Sequence, residues 1–362
     1  MRTHLASPED ADYGRPDDLE ESIAMLKRNF CTEFAAKSNF YFYDFVNDWY
    51  RDQEFMDTVG QLVKMDDFLR QLPERHPPEI ACIVSEETIP YLGNNRRWDA
   101  LDGLARQAME LPCVGAPMDF YVESDLANID FSQYRTVIFL NSFHVSDETL
   151  NLVHSRVACD NRTLVFYYAA GAVGEDLRLA PERMRKLTGM ALDFQPAKPT
   201  GVVTRMPSGT PRIVEYPPDG RVTVVDPQAT PLAAHEDGTV AAARRQFGDW
   251  TSIVIGHTAP NPAFLRSILQ EDGKVHLYQR DSYDWIFQRG ALLGVFSRES
   301  GLREITFPEP VEVVGELFSR QVLAQDSDKV CFEMPARPHT AMLFAGSREE
   351  WEMFLKMIST HK

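Results

Sequence analysis

Two short clusters carry the residue types best suited to chemistry. Arg2, Thr3 and His4 stand at the start of the chain, and Asp44, Asp48 and Trp49 stand just past an aromatic run. If both clusters follow strands of an α/β barrel, they lie at the strand ends that face the active site of that fold. The mixture suits a sugar: an aromatic ring packs against the apolar C–H face while acids and a guanidinium hold hydroxyls. Arg2, His4, Asp44 and Trp49 are therefore the expected lining of a sugar site.

Other chemical candidates are weaker. Glu86 and Glu87 are adjacent, and neighbours on an extended segment point apart, so a solvated loop is expected there. His144 follows a strand and precedes a helix cap, which makes it a loop histidine. Asp281, Asp284 and Trp285 read as a polar turn. The five cysteines (Cys31, Cys82, Cys113, Cys159 and Cys331) form no CxxC and share no metal-ligand spacing with histidine. Free, mostly buried thiols are expected, with no metal and no cofactor. No Walker loop, GxGxxG, HExxH or GxSxG occurs.

The elements that must position these residues follow from periodicity. Residues 17–37 read as a helix with Asp17 or Asp18 at its N-cap, Glu20 and Glu21 beyond it, and Ile23, Leu26, Phe30 and Phe34 on one face. The run Asn39–Phe45 is apolar on both faces, as in a strand covered on both sides. A second helix spans Phe55–Leu72. Prolines 73, 77 and 78 then mark a boundary. Beyond it, strands at Ile80–Val84, Asp119–Val122, Thr136–Leu140 and Thr163–Tyr168 alternate with helices at Arg96–Glu110 and from Ser146. That order predicts an open, doubly wound parallel sheet of flavodoxin-like kind.

Short strands are expected at Gly201–Thr204, Arg212–Glu215 and Val222–Val225. Trp250–Gly256 reads as a buried strand followed by a helix over Asn261–Gln270. From residue 275, runs at Val275–Tyr278, Leu292–Phe296, Glu304–Phe307, Val330–Met334 and Ala341–Phe344 predict a small β-sandwich. Arg348–Ser359 reads as a terminal helix.

With 362 residues the chain has room for two or three domains. A net charge of −17 argues against a nucleic-acid backbone as partner. No run of 18 apolar residues exists to span a membrane. Residues 1–20 carry no signal-peptide pattern, which leaves the cytoplasm as the default compartment without assigning one.

Taken in order, LKRNF (26–30), Tyr43-Asp44-Phe45 with Trp49, IACIVSEE (80–87), TVIFLNSFHVS (136–146), TLVFYYAAG (163–171) and the stretch 238–256 resemble the C-terminal half of family 42-like glycoside hydrolases, the bacterial β-galactosidase group. The resemblance implies a barrel remnant at 1–75, an amidotransferase-like trimerisation domain at 76–280 and a C-terminal β-domain at 281–362. It also implies retaining hydrolysis of a carbohydrate by two glutamates about 5–5.5 Å apart. Both would precede Met1, so no catalytic residue is expected within this chain, and whether the chain alone is an enzyme stays open. Homo-oligomers, trimers by resemblance, are the expected assembly. Amidotransferase chemistry needs a cysteine on a strand-to-helix turn. The candidate turns, Ser85–Thr88 and Tyr168–Gly171, have none. The remaining alternative is a non-catalytic carbohydrate-binding or oligomerisation module complete as written.

Overall fold

The computed structural model describes residues 2–9, 14–39, 41–42, 48–88, 107–174, 180–195, 202–205, 211–214, 221–256 and 261–359. They form two compact units. One comprises residues 1–77, 115–117 and 277–362, and the other comprises 78–114 and 118–276.

The first unit begins with two helices, α1 (Leu19–Ala35) and α2 (Gln53–Leu69). Asp18 caps α1 by accepting from the Glu21 N–H, and Glu21 reaches back to the Asp17 N–H at 2.9 Å. Asp52 caps α2 in the same way. The aromatic run expected as a strand is irregular at Asn39, Tyr41 and Phe42, and Tyr41 is largely exposed. Phe40 and Tyr43–Phe45 lie outside the described residues.

The second unit contains β1 (Ile80–Val84), β2 (Asp119–Val122), β3 (Thr136–Leu140), α3 (Asp147–Leu152), β4 (Arg162–Tyr167) and α4 (Pro181–Thr188). Then come β5 (Leu192–Gln195), β6 (Val202–Arg205), β7 (Pro211–Val214), β8 (Arg221–Val224), β9 (Thr230–His235), β10 (Val240–Phe247), β11 (Trp250–Ile255) and α5 (Pro262–Glu271). The main sheet runs β2-β1-β3-β4-β11-β10-β9-β6-β7. Its first five strands are parallel, in the 2-1-3-4-5 order of flavodoxin-like sheets, and the other four add on antiparallel. Of the helix expected at Arg96–Glu110, residues 96–106 lie outside the described set, and 107–110 are helical. One face of the parallel strands packs Ala81, Ile83, Val137, Phe139, Leu164, Phe166 and Val254 into a single core with Met184 and Leu187 of α4.

The chain closes the first unit with β12 (Trp285–Arg289), β13 (Leu292–Ser297), β14 (Gly301–Glu316), β15 (Val322–Met334), β16 (His339–Gly346) and α6 (Arg348–Ser359). The strands form one antiparallel sheet, β12-β13-β16-β14-β15. Its two faces separate by alternation along each strand. Leu292, Phe296, Met342 and Phe344 pack against Leu26, Phe30 and Phe34 of α1, several α2 side chains, and Trp351 and Phe354 of α6. On the opposite face, Leu293, Val295, Ala341 and Leu343 pack against Ile305, Phe307, Val330 and Met334.

The β14–β15 ladder is interrupted between Thr306 and Val311. After the irregularity Val313–Glu316 pair with β16, whereas the Gly301–Thr306 and Lys329–Met334 side of the ladder carries Ile305, Val330 and Met334 onto the second face, so both layers of the expected sandwich come from one continuous sheet. Val275–Tyr278 is not a strand. The Tyr278 N–H bonds the Gly115 carbonyl at 2.8 Å, and its carbonyl accepts from Thr306 N–H at 2.8 Å, so the segment lies between a loop and β14 without joining a ladder.

Helix α1 approaches β13 closely at Gly294. A Cβ there would lie 2.5 Å from Cys31 Sγ and 2.8 Å from Cys31 Cβ. Gly294→Ala is therefore expected to destabilise the protein by ~1–3 kcal/mol through overpacking. A urea midpoint unchanged from wild type would show that the helix gives way at no cost.

Candidate functional site

Residues 2–9 form no helical or strand element of four residues or more, yet three side chains pin them. In the first turn of α1, Ser22 Oγ accepts the His4 N–H at 2.9 Å and lies 3.1 Å from His4 Nδ1. Arg15 donates to the His4 carbonyl at 2.6 Å and to the Ala6 carbonyl at 2.7 Å. Buried Thr3 donates from Oγ1 to the Trp49 carbonyl, 46 residues away, at 2.5 Å. Arg2 Cζ then lies 5.6 Å from the centroid of the Trp49 ring.

Two of the expected sugar-site residues, Arg2 and Trp49, thus meet. His4 is adjacent in the chain, but its ring is turned to Ser22. Asp44 lies outside the described residues. Trp49 is only 7% exposed. Thr3 and Arg15, which join this segment together, have no recognisable sequence signal, because hydrogen bonds to distant carbonyls follow no periodicity.

The second place to look is the carboxyl edge of the parallel strands, where open α/β sheets bind ligands. Among the described residues, side chains of the protein accept from four backbone N–H groups at this edge. Thr88 Oγ1 accepts from the Phe143 and His144 N–H groups at 3.1 and 3.3 Å and donates to Ser85 Oγ at 3.1 Å. The Glu86 carboxylate accepts from the Glu123 and Ser124 N–H groups at 2.9 and 3.2 Å. Partial burial pushes the Glu86 pKa up, but hydrogen bonds from Ser124, its own backbone and Glu123 outweigh burial and hold it below the usual value. The expectation of a purely solvated Glu86-Glu87 loop is corrected. Glu87 is exposed, whereas Glu86 turns inward because two backbone donors need an acceptor. His144 is buried, and its backbone bridges Val173 ahead of the Ser146 cap of α3.

Glu123 is the perturbed acid of this edge. It is buried, and one of its carboxyl oxygens has no hydrogen-bond partner. Burial raises its pKa. Ser85 and Thr149 oppose this by hydrogen bonding, and the carboxylates of Glu86 and Glu87 add to it. With the folded pKa above the unfolded one, the native state keeps a proton that the unfolded chain loses. Stability is then fullest below about pH 4.5 and falls as pH rises through the folded pKa. Glu123→Gln should remove that decline. Its melting temperature should match wild type near pH 4, exceed it as pH rises through the folded pKa, and keep that advantage above it. A wild-type advantage at pH 8 would refute the raised pKa of Glu123.

The turn after β4 places Tyr168 at φ +57°, with its ring edge-on to Phe143 and Phe194. The backbone turn is present without a thiol. Cys82 is fully buried in β1, where burial pushes its thiol pKa well up. All five cysteines are free: two are buried, two are partly buried, and Cys331 is exposed. Among the described residues no three His, Cys, Asp or Glu side chains could hold a metal ion, and no helix is long and apolar enough to cross a membrane.

No protein-family model matches the sequence, and no curated protein matches it. Solved structures do. The β-galactosidase from Bacillus circulans sp. alkalophilus superposes with a TM-score of 0.62 at 17% identity, over 81% of this chain and 45% of that one. Gan42B, a GH42 β-galactosidase from G. stearothermophilus, gives 0.58 at 18% identity, over 82% and 44%. The β-galactosidase from the psychrophilic Marinomonas ef1 gives 0.60 at 13% identity, over 90% and 50%. The chain spans about half the length of each of these structures. Its fold is that of the C-terminal portion of family 42 β-galactosidases.

Proposed function

We propose that this chain is the C-terminal portion of a glycoside hydrolase that cleaves β-galactoside-like bonds with retention. The two catalytic glutamates would be supplied by sequence upstream of Met1. In this reading residues 1–75 complete a (β/α)8 barrel, 76–280 form an amidotransferase-like domain that assembles trimers, and 281–362 form the β-domain. Arg2, His4, Asp44 and Trp49 line the sugar site.

The shared fold, over less than half of the first two β-galactosidases, carries this reading. Two local observations support it. Helices α1 and α2 leave between them a cavity of about 180 Å³, lined by Phe30, Phe34, Phe42, Val59 and Val63. Met56 and Val63 of α2 are substantially exposed. The remaining strands and helices of the barrel, packed on α1 and α2, would cover that apolar surface. The carboxyl edge of the parallel sheet, filled by Thr88 and Glu86, suits an assembly role better than a second catalytic centre.

The intact mass of the protein purified from its native host tests the proposal. A mass well above 41.2 kDa, by the roughly 200 residues most of a barrel requires, is expected. A mass of 41.2 kDa would favour a self-contained binding or assembly module.

A further inference from the structure

We propose that Arg28 and Arg298 form a binding site for a carboxylate, and that the ligand carrying it is an acidic saccharide, a uronate. The saccharide class rests on the glycosidase reading above. The carboxylate site does not, because residues of the first unit alone build it.

Arg28 lies on α1, with its guanidinium carbon 5.3 Å from the centroid of the Trp285 ring and 5.2 Å from that of Phe296. Those two residues pair across the β12–β13 ladder, their ring centroids 5.6 Å apart and their planes inclined at 64°. The cation therefore sits in a corner between two aromatic walls. Its Nε and Nη2 donate to Asn29 Oδ1 at 3.2 and 2.8 Å. A guanidinium carries only donors, so Asn29 must turn its oxygen toward it and keep its NH2 group for other partners. Asn29, Trp285 and Phe296 are thus positioning residues for Arg28. Arg298 is exposed and follows Phe296 by two residues, so the alternation of β13 carries it toward the face that α1 covers.

The cluster has donors without acidic acceptors. Among the described residues no carboxylate lies within ion-pair distance of Arg28 or Arg298. Other partly buried arginines are matched, Arg75 by Glu350, Arg245 by Asp226 and Arg303 by Asp284. Burial pushes the Arg28 pKa below its ordinary value, and the charge of Arg298 adds to that, so the two cations oppose each other in the free protein. In a chain of net charge −17, with acids in excess, such a pair is stabilised by an anion shared between them. The wider negative charge opposes that anion only weakly, since charges beyond ~8 Å are screened at physiological salt. A carboxylate offers two oxygens in the plane that a guanidinium fork matches.

Titration calorimetry of the native-length protein with sodium D-galacturonate tests the assignment. The wild type is expected to bind it, and about 0.5 M sodium chloride should weaken the binding. Arg298→Gln changes an exposed side chain and should weaken binding about tenfold, and Arg28→Gln about tenfold or more, as charge-assisted hydrogen bonds are lost. Arg28→Lys keeps the charge but not the fork and should fall between. Sodium acetate, which lacks the ring, should compete with galacturonate for the site but bind more weakly.

No galacturonate binding in the wild type, or binding that both glutamine variants leave unchanged, overturns the carboxylate site. Acetate binding as tightly as galacturonate overturns the saccharide class alone. Hydrolysis of an aryl β-D-galactopyranoside should be the same in Arg298→Gln as in wild type, so a failure of the glycosidase reading shows separately from a failure of this site.

Discussion

Asp284→Ala should lower the unfolding free energy by about 3–5 kcal/mol, the largest loss expected from any single change in the first unit. Asp284 and Arg303 are both buried and meet at 2.5 Å through Nε and 3.3 Å through Nη2. The carboxylate also accepts from Gln279 at 2.7 Å and Ser282 at 3.0 Å. The guanidinium also donates to Ser297 Oγ at 3.0 Å and to the carbonyls of Glu299 and Gly301 at 2.8 and 3.0 Å. Removing the acid leaves a buried cation that keeps only neutral acceptors. Removing both charges should cost far less, because the desolvation penalty disappears with the pair. Thermal unfolding checks this: Asp284→Ala should melt on the order of 10 °C below wild type. The double variant Asp284→Leu/Arg303→Met should recover most of that loss. A single variant within about 1 kcal/mol of wild type would mean that water reaches the site.

Arg162→Met should be comparably damaging in the second unit. Arg162 opens β4, is 3% exposed, and donates to the carbonyls of Tyr134, Val157 and Phe131 at 3.0, 2.8 and 3.2 Å. Its ion-pair partner Asp160 is 3.5 Å away and mostly exposed, so the carbonyls provide most of the compensation. These carbonyls belong to the loop before β3 and to the turn that ends the helix before β4. Each buried acceptor left without a donor costs about 1–3 kcal/mol, so the loss should reach about 3–5 kcal/mol. Arg162→Lys should fall between, because one ammonium cannot span three diverging acceptors as a planar fork does. Urea titration of the three proteins orders them. Equal midpoints would exclude Arg162 as the tie between these segments.

The sequence made the parallel strands plain because they are short, apolar and bounded by polar turns, as at Thr136–Leu140. Helix starts were plain where a cap precedes an apolar face, as at Asp18, Ser146 and Asn261. Strand β10 was hidden because VAAARRQF offers alanine and arginine in place of β-branched residues, and its place between β9 and β11 comes from ladder pairing. Strand β12 was hidden behind Asp284, whose polarity reads as a turn until Arg303 is seen beside it. In β14 and β15, Pro308, Pro310 and the irregular register after Thr306 divide each long strand, so only fragments show the alternating pattern.

At the candidate site, residue type and spacing put Arg2, His4, Asp44 and Trp49 in one group but did not single out the Arg2–Trp49 contact. They could not reveal which group covers which, since that depends on Thr3 and Arg15 reaching backbone atoms far along the chain. Adjacency misled at Glu86, because an empty pair of backbone donors outweighs solvation for one of two neighbouring carboxylates.

The most direct test of membership in a β-galactoside-cleaving enzyme is hydrolysis of an aryl β-D-galactopyranoside by the protein as its native host makes it, with the anomeric product followed by NMR. Release of β-galactose as the first-formed anomer is the expected result. A pure native protein that is inert toward this substrate and toward a broad panel of aryl glycosides would contradict it.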